Sequence, residues 1–202
     1  YRILKCALIF GACTGTIAAL ILLFGADFIT GTLMKTPMSV FAVRVLIPVL
    51  LIVAVLGVMR GFFQGLGTMM PSATSQILEQ IANAIVSVWA AYVLAGYGAK
   101  AGALLGNADN YSAAYGAAGG TLGTAVGALV ALLFCTFVLV VYLHAFKRSL
   151  HRERRNNVDS YASIFHLLIV TIIPVLLSST IYNCNAVIDQ AVYKHIAAFQ
   201  GY

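Results

Sequence analysis

The chain has 202 residues, of which 61% are hydrophobic and only 9% charged. A soluble globular domain carries roughly 25% charged residues, so this chain lacks the polar side chains to cover a water-facing surface. Composition therefore excludes a soluble enzyme, a disordered tail and a coiled coil, and predicts an all-α, polytopic transmembrane helix bundle. The net charge of +6 does not point to nucleic acid. Five of the basic residues, Lys147, Arg148, Arg152, Arg154 and Arg155, crowd into one segment between apolar runs. That is the distribution of a positive-inside topology, not of a basic face. The opening at Tyr1 and the ending at Gly201-Tyr202 read as those of an internal segment of a longer transporter-like protein.

A membrane helix needs about 20 largely apolar residues, and five segments qualify. The first runs from Cys6 to Ala26 without a charge. The second runs from about Val40 to Met59 and holds Arg44 and Pro48. The third runs from about Ile77 to Ala95, with Glu79 near its start. The fourth runs from about Ala118 to Leu143. The fifth begins near Ile164, contains Pro174 and reaches about Asp189. Between the third and fourth, the Gly/Ala-rich stretch from Gly96 to Gly116 reads as a loop. The basic stretch 147–160 reads as a linker. It is the best candidate for a boundary between four helices of a first bundle (1–146) and the first helix of a second bundle (161–202), the alternative being a plain cytoplasmic loop inside one bundle.

Arg2, Lys5, Arg60 and the five basic residues of the linker fall on one side if the helices alternate. Lys35 and Lys100 fall on the other. The first side is then cytoplasmic and the Gly96–Gly116 stretch external, in a multi-pass protein of the cell membrane. Phe24, Phe28, Phe41, Trp89, Tyr92 and Tyr97 lie near the expected outer interface, where aromatic rings concentrate.

The fourth span carries Gly119, Gly123, Gly127 and Ala131 at intervals of four, a stripe that admits a close neighbour. The third span is polar on one side. Ser72, Gln76, Glu79, Gln80, Asn83 and Ser87 lie within about 60° of Gln76 at about 100° per residue. Charge costs about 2.5–3.5 kcal/mol at the centre of a membrane helix, so such a face is expected to line a cavity or bundle interior. The fifth span repeats the pattern with Thr171, Ser178, Tyr182, Asn185 and Asp189. Arg44 and Arg60 lie near opposite ends of the second span. Snorkelling to the nearer interface is the expected behaviour of Arg60. Arg44 and Asp189, both expected near the outer side, form a candidate gate pair.

The four cysteines form no CxxC pair and no Cys/His cluster, so they read as small buried hydrophobes, with no metal or disulfide implied. The histidines are scattered, and no serine or threonine has a nearby histidine base. No Walker A motif is present. The chain is therefore expected to be neither an enzyme nor an ATPase, and to need no cofactor.

The stretch Arg60-Gly61-Phe62-Phe63-Gln64-Gly65-Leu66-Gly67-Thr68-Met69-Met70-Pro71-Ser72-Ala73, followed by Ser75-Gln76-Ile77-Leu78-Glu79-Gln80, resembles the segment between the fourth and fifth helices of the stage V sporulation protein B-like flippases. These belong to the multidrug/oligosaccharidyl-lipid/polysaccharide superfamily. The Ala118–Leu129 run resembles the start of that family's sixth helix, and Ile188-Asp189 with the Pro174 kink is similar to its seventh. The resemblance implies five spans of a larger two-bundle transporter that moves lipid-linked oligosaccharide or peptidoglycan precursor by alternating access. It implies partners of three kinds: a lipid-linked sugar, membrane lipids and a coupling ion. The candidate cavity residues are Arg44, Arg60, Gln64, Gln76, Glu79, Gln80, Asn83, Asn185 and Asp189. Cations would offset the cost of burying a diphosphate, amides would meet sugar hydroxyls, and Glu79 and Asp189 are the candidate ion carriers. A cation-coupled drug exporter of the same superfamily, or a non-transporting membrane scaffold, are the alternatives.

Overall fold

The computed structural model describes residues 2–28, 40–104, 106–150 and 161–199. They form five helices: α1 (Arg2–Phe28), α2 (Val40–Gly65), α3 (Met70–Leu104), α4 (Ala108–Leu150) and α5 (Tyr161–Phe199). All five are long and apolar enough to cross a membrane, so this is an all-α, multi-pass membrane protein. The described residues fall into two compact units, one built from α1 to α4 and the other from α5.

Each helix contains its predicted span and outgrows it. α3 has 35 residues and α4 has 43, about 52 and 64 Å at about 1.5 Å per residue. The hydrocarbon core of a bilayer is about 30 Å thick, so both project beyond it. The Gly96–Gly116 stretch is a correction to the sequence reading. Among the described residues it is helical apart from Gly106 and Asn107: alanines outnumber the glycines, and Gly98, Gly102 and Gly116 pack against the partner helix. Residues 147–150, read as the start of a linker, continue α4. The rest of that linker, 151–160, lies outside the described residues, as does Lys35.

Two glycine turns fold α2, α3 and α4 back on each other. After α2, the Thr68 N–H donates to the Phe63 carbonyl (3.2 Å) and the Gly67 N–H to the Gln64 carbonyl (2.9 Å). After α3, the Asn107 N–H donates to the Gly102 carbonyl (3.0 Å). This is the Schellman pattern, which satisfies the last carbonyls of a helix and needs a left-handed residue just past its end. Gly67 (φ 79°) and Gly106 (φ 74°) supply it, since only glycine adopts that conformation without a steric cost.

The α3–α4 pair is an antiparallel hairpin packed along its length through small residues. A Cβ on Gly102 would stand 2.7 Å from Ala108 Cα. One on Gly119 would stand 2.7 Å from Ala91 Cα, and one on Gly127 would stand 2.7 Å from the Glu79 carbonyl oxygen. Both α3 and α4 thus bring backbone against backbone, the approach that drives helix association in lipid. α1 meets α2 in the same manner, with Gly11 against Val58 and Gly15 against Ala54.

α2 runs parallel to α4. Leu56, Met59 and Phe63 of α2 join Ala131, Cys135 and Leu139 of α4 and Leu4 of α1 in one buried cluster. At the far end Phe41 and Tyr115 stack with ring centroids 5.3 Å apart. This arrangement puts the start of α1, the α2–α3 turn and the end of α4 at one end of the unit. The α3–α4 turn lies at the other.

Candidate functional site

α3 is the least apolar of the five helices, with a mean hydropathy of 1.5 against 2.3–2.7 for the others. Its polar residues do not act as one face. They divide into three groups with different surroundings.

The first group joins α3 to α2 beside the Gly67 turn. Arg60 Nη2 donates to Glu79 Oε2 at 2.6 Å, and Arg60 Nε donates to Ser75 Oγ at 2.8 Å. The Ser75 hydroxyl in turn donates to the Ser72 carbonyl at 2.7 Å. The Ser72 hydroxyl donates to the Arg60 carbonyl at 3.1 Å. The circuit therefore begins and ends on Arg60. Ser72 and Ser75 are buried, and the Arg60 and Glu79 side chains are only 16% and 18% exposed. Arginine is positive at any physiological pH and presents its donors as a planar fork, which suits it to bind a carboxylate and a hydroxyl together. Breaking such a poorly hydrated pair by removing one partner costs about 3–5 kcal/mol when burial is complete. Arg60, expected from its position near the helix end to snorkel, is engaged here with Ser75 and Glu79 of α3. A partner within reach across the turn competes with the headgroup region.

The second group joins α3 to α4. The Ser87 hydroxyl lies 2.7 Å from Asn83 Oδ1 and 2.9 Å from the Gly120 carbonyl, to which it donates its single proton in turn. Asn83 Cβ stands where a side chain at Gly127 would sit. Asn83 and Ser87 are thus interhelical contacts, half-buried between α3 and α4.

The third group is Gln76 and Gln80, one turn apart and both exposed. Gln64, one turn after Arg60 on α2, is exposed as well. These three amides and the margin of the Arg60–Glu79 pair form the accessible polar surface at the α2–α3 end of the unit. Among the described residues, no buried side-chain nitrogen or oxygen lacks a hydrogen-bond partner. No three His, Cys, Asp or Glu side chains converge as a metal site among them either.

Three candidates lie elsewhere. Arg44 is exposed near the start of α2, at the opposite end from Arg60. Asn185 and Asp189 are exposed on α5, in the second unit. Sequence reasoning missed Ser75, which lies outside the 60° stripe. Its signal was the row Ser72, Ser75, Glu79 at spacings of three and four, facing an arginine across a glycine turn.

These features define a multi-pass helical membrane protein with an ionic cluster at one end of its first unit. In comparison with known proteins, the chain matches no family model, no characterised relative and no solved structure.

Proposed function

We propose that the chain is part of a membrane exporter that flips a lipid-linked oligosaccharide or a peptidoglycan precursor by alternating access. The observation that carries this reading is the segment from Arg60 to Gln80. Its sequence resembles the corresponding segment of polysaccharide flippases. Its residues gather an arginine, a glutamate and three accessible glutamines at one end of membrane-crossing helices. A lipid-linked sugar presents a diphosphate and many hydroxyls on a membrane-embedded tail. Amide side chains meet the hydroxyls with both donors and acceptors, and the tail stays in lipid while the head crosses.

In this reading the basic segments at Arg2–Lys5, Arg60 and 147–155 face the cytoplasm, where the precursor is made. Without a nucleotide-binding motif, the energy comes from an ion gradient or the membrane potential, worth about 2.3 kcal/mol per charge per 100 mV. Cells give a direct test. Depletion of the whole protein should accumulate lipid-linked precursor on the cytoplasmic side, measured by its inaccessibility to an external sugar-modifying enzyme. Unchanged sidedness on depletion would overturn the proposal. Reconstituted vesicles then test sufficiency with a short-chain prenyl diphosphate sugar as probe.

A further inference from the structure

The Arg60 cluster differs in kind from the rest of the helix packing. α3 meets α4 through close backbone contacts along the hairpin, with neutral hydroxyl-to-carbonyl bonds from Ser87 and Ser112 and no ion pair among them. α2 meets α4 through an apolar cluster of Leu56, Met59, Phe63, Ala131, Cys135 and Leu139. Among the described residues, the side-chain hydrogen bonds between α2 and α3 all pass through Arg60. Each member of the circuit is committed. The Glu79 carboxylate takes the guanidinium, Ser75 takes Nε and gives its proton to Ser72, and Ser72 returns a proton to the Arg60 carbonyl.

We infer that Arg60 and Glu79, with Ser72 and Ser75, are a fixed ionic clamp that sets the α2–α3 turn, and that Glu79 is not the group that exchanges with a coupling ion. The assignment of Glu79 rests on the proposed transport reading. The clamp itself rests on the geometry alone.

An ion carrier must release its ion and be left with a hydrated or newly paired charge. Glu79 already holds the Arg60 guanidinium at 2.6 Å. Loading a proton or a metal cation on Glu79 would strand the Arg60 charge in a site that is only 16% exposed, and burial without a partner is what proteins avoid. The two charges instead cancel, so the α2–α3 end carries a neutral pair through the membrane boundary. The clamp also places Gln76. It sits one residue after Ser75 and three before Glu79, so fixing those two fixes the helical rotation at which Gln76 and Gln80 are presented.

The clamp predicts that neutralising both charges is milder than neutralising one. Arg60→Gln, Glu79→Gln and the double variant are purified as the whole protein in detergent, and their melting midpoints are compared. Each single variant should fall by several degrees, and the double should melt no lower than the worse single. The charge swap R60E/E79R should recover part of the loss. Falls that simply add would overturn the clamp. If a single variant fails to fold while the double folds, that rescue supports it. If neither folds, Arg60→Lys and Ser75→Ala serve instead. Lysine keeps the charge but loses the forked donor, so the pair should be non-additive through the Nε bond, and independent effects would overturn the proposal.

The assignment of Glu79 has a separate readout. In vesicles carrying the double variant, uptake of the prenyl diphosphate sugar probe should keep its dependence on an imposed ion gradient. Loss of that dependence with retained melting behaviour would show that Glu79 carries the ion. If the wild type moves no probe, the transport reading fails and the melting cycle still decides the clamp.

Discussion

The Ser87 hydroxyl of α3 reaches the backbone carbonyl of Gly120 on α4, 2.9 Å away, and it does so over Gly123, which has no side chain to keep the helices apart. A Cβ at Gly123 would collide with the Ser87 side chain and its backbone. A single side-chain hydrogen bond between membrane helices thus depends on a glycine one turn along the partner. Its removal couples two losses, the close approach and the bond.

Gly123→Ala should therefore destabilise the protein by about 1–3 kcal/mol, the usual cost of forcing volume into a packed site. Gly120→Ala is the matched control. Nothing lies within 4 Å of a Cβ at that position, so it should be neutral or stabilising by up to about 1 kcal/mol, through the entropy of the unfolded helix. Melting midpoints in detergent measure both. Equal losses at the two positions would mean that the stripe is not a packing face.

The two turn glycines make a second paired test. Gly67 has φ 79°, where an added Cβ costs about 1–2 kcal/mol. Gly65 is in the last turn of α2, with nothing within 4 Å of an added Cβ. Gly67→Ala should lower stability, and Gly65→Ala should leave it unchanged or raise it. Measuring both by thermal scanning on one preparation isolates the backbone effect from packing.

Orientation is tested by labelling. In a variant whose four cysteines are replaced, Asn107→Cys at the α3–α4 turn should react with an impermeant thiol reagent added to intact cells. Ser149→Cys near the end of α4 should react only after the membrane is opened. The reverse pattern would invert the topology and place the Arg60 cluster outside.

Gln76 and Gln80 are exposed while their neighbours are engaged. Gln76→Ala or Gln80→Ala should leave the melting midpoint within a degree or two of wild type. Each should slow flipping of the prenyl diphosphate sugar by about 2- to 10-fold, the value of one lost hydrogen bond of about 0.5–1.5 kcal/mol. Unchanged flipping in both variants would remove the amides from the substrate path.

The existence of five helices and their place in a membrane was legible in the sequence, because apolar runs of 20 residues with few charges have one stable outcome in lipid, a helix that satisfies its own backbone. The Gly119–Gly123–Gly127 stripe was legible too, since small residues four apart mark a close approach whatever the partner. The partner of each polar residue was not. Periodicity placed Gln76, Glu79, Gln80 and Asn83 on one side of α3, yet Glu79 turns to Arg60, Asn83 to α4, and the glutamines to the outside. A stripe 120° wide is broad enough to touch two neighbouring helices and still have an open edge, and only the positions of α2 and α4 divide it. The length of α3 and α4 was decided the same way. The Gly/Ala-rich residues 96–116 have weak helical preference by themselves, and they become helix because Gly98 and Gly102 pack directly on Tyr111 and Ala108 of the returning chain. Local propensity was outweighed there by backbone contact between two helices, which no single segment of sequence contains.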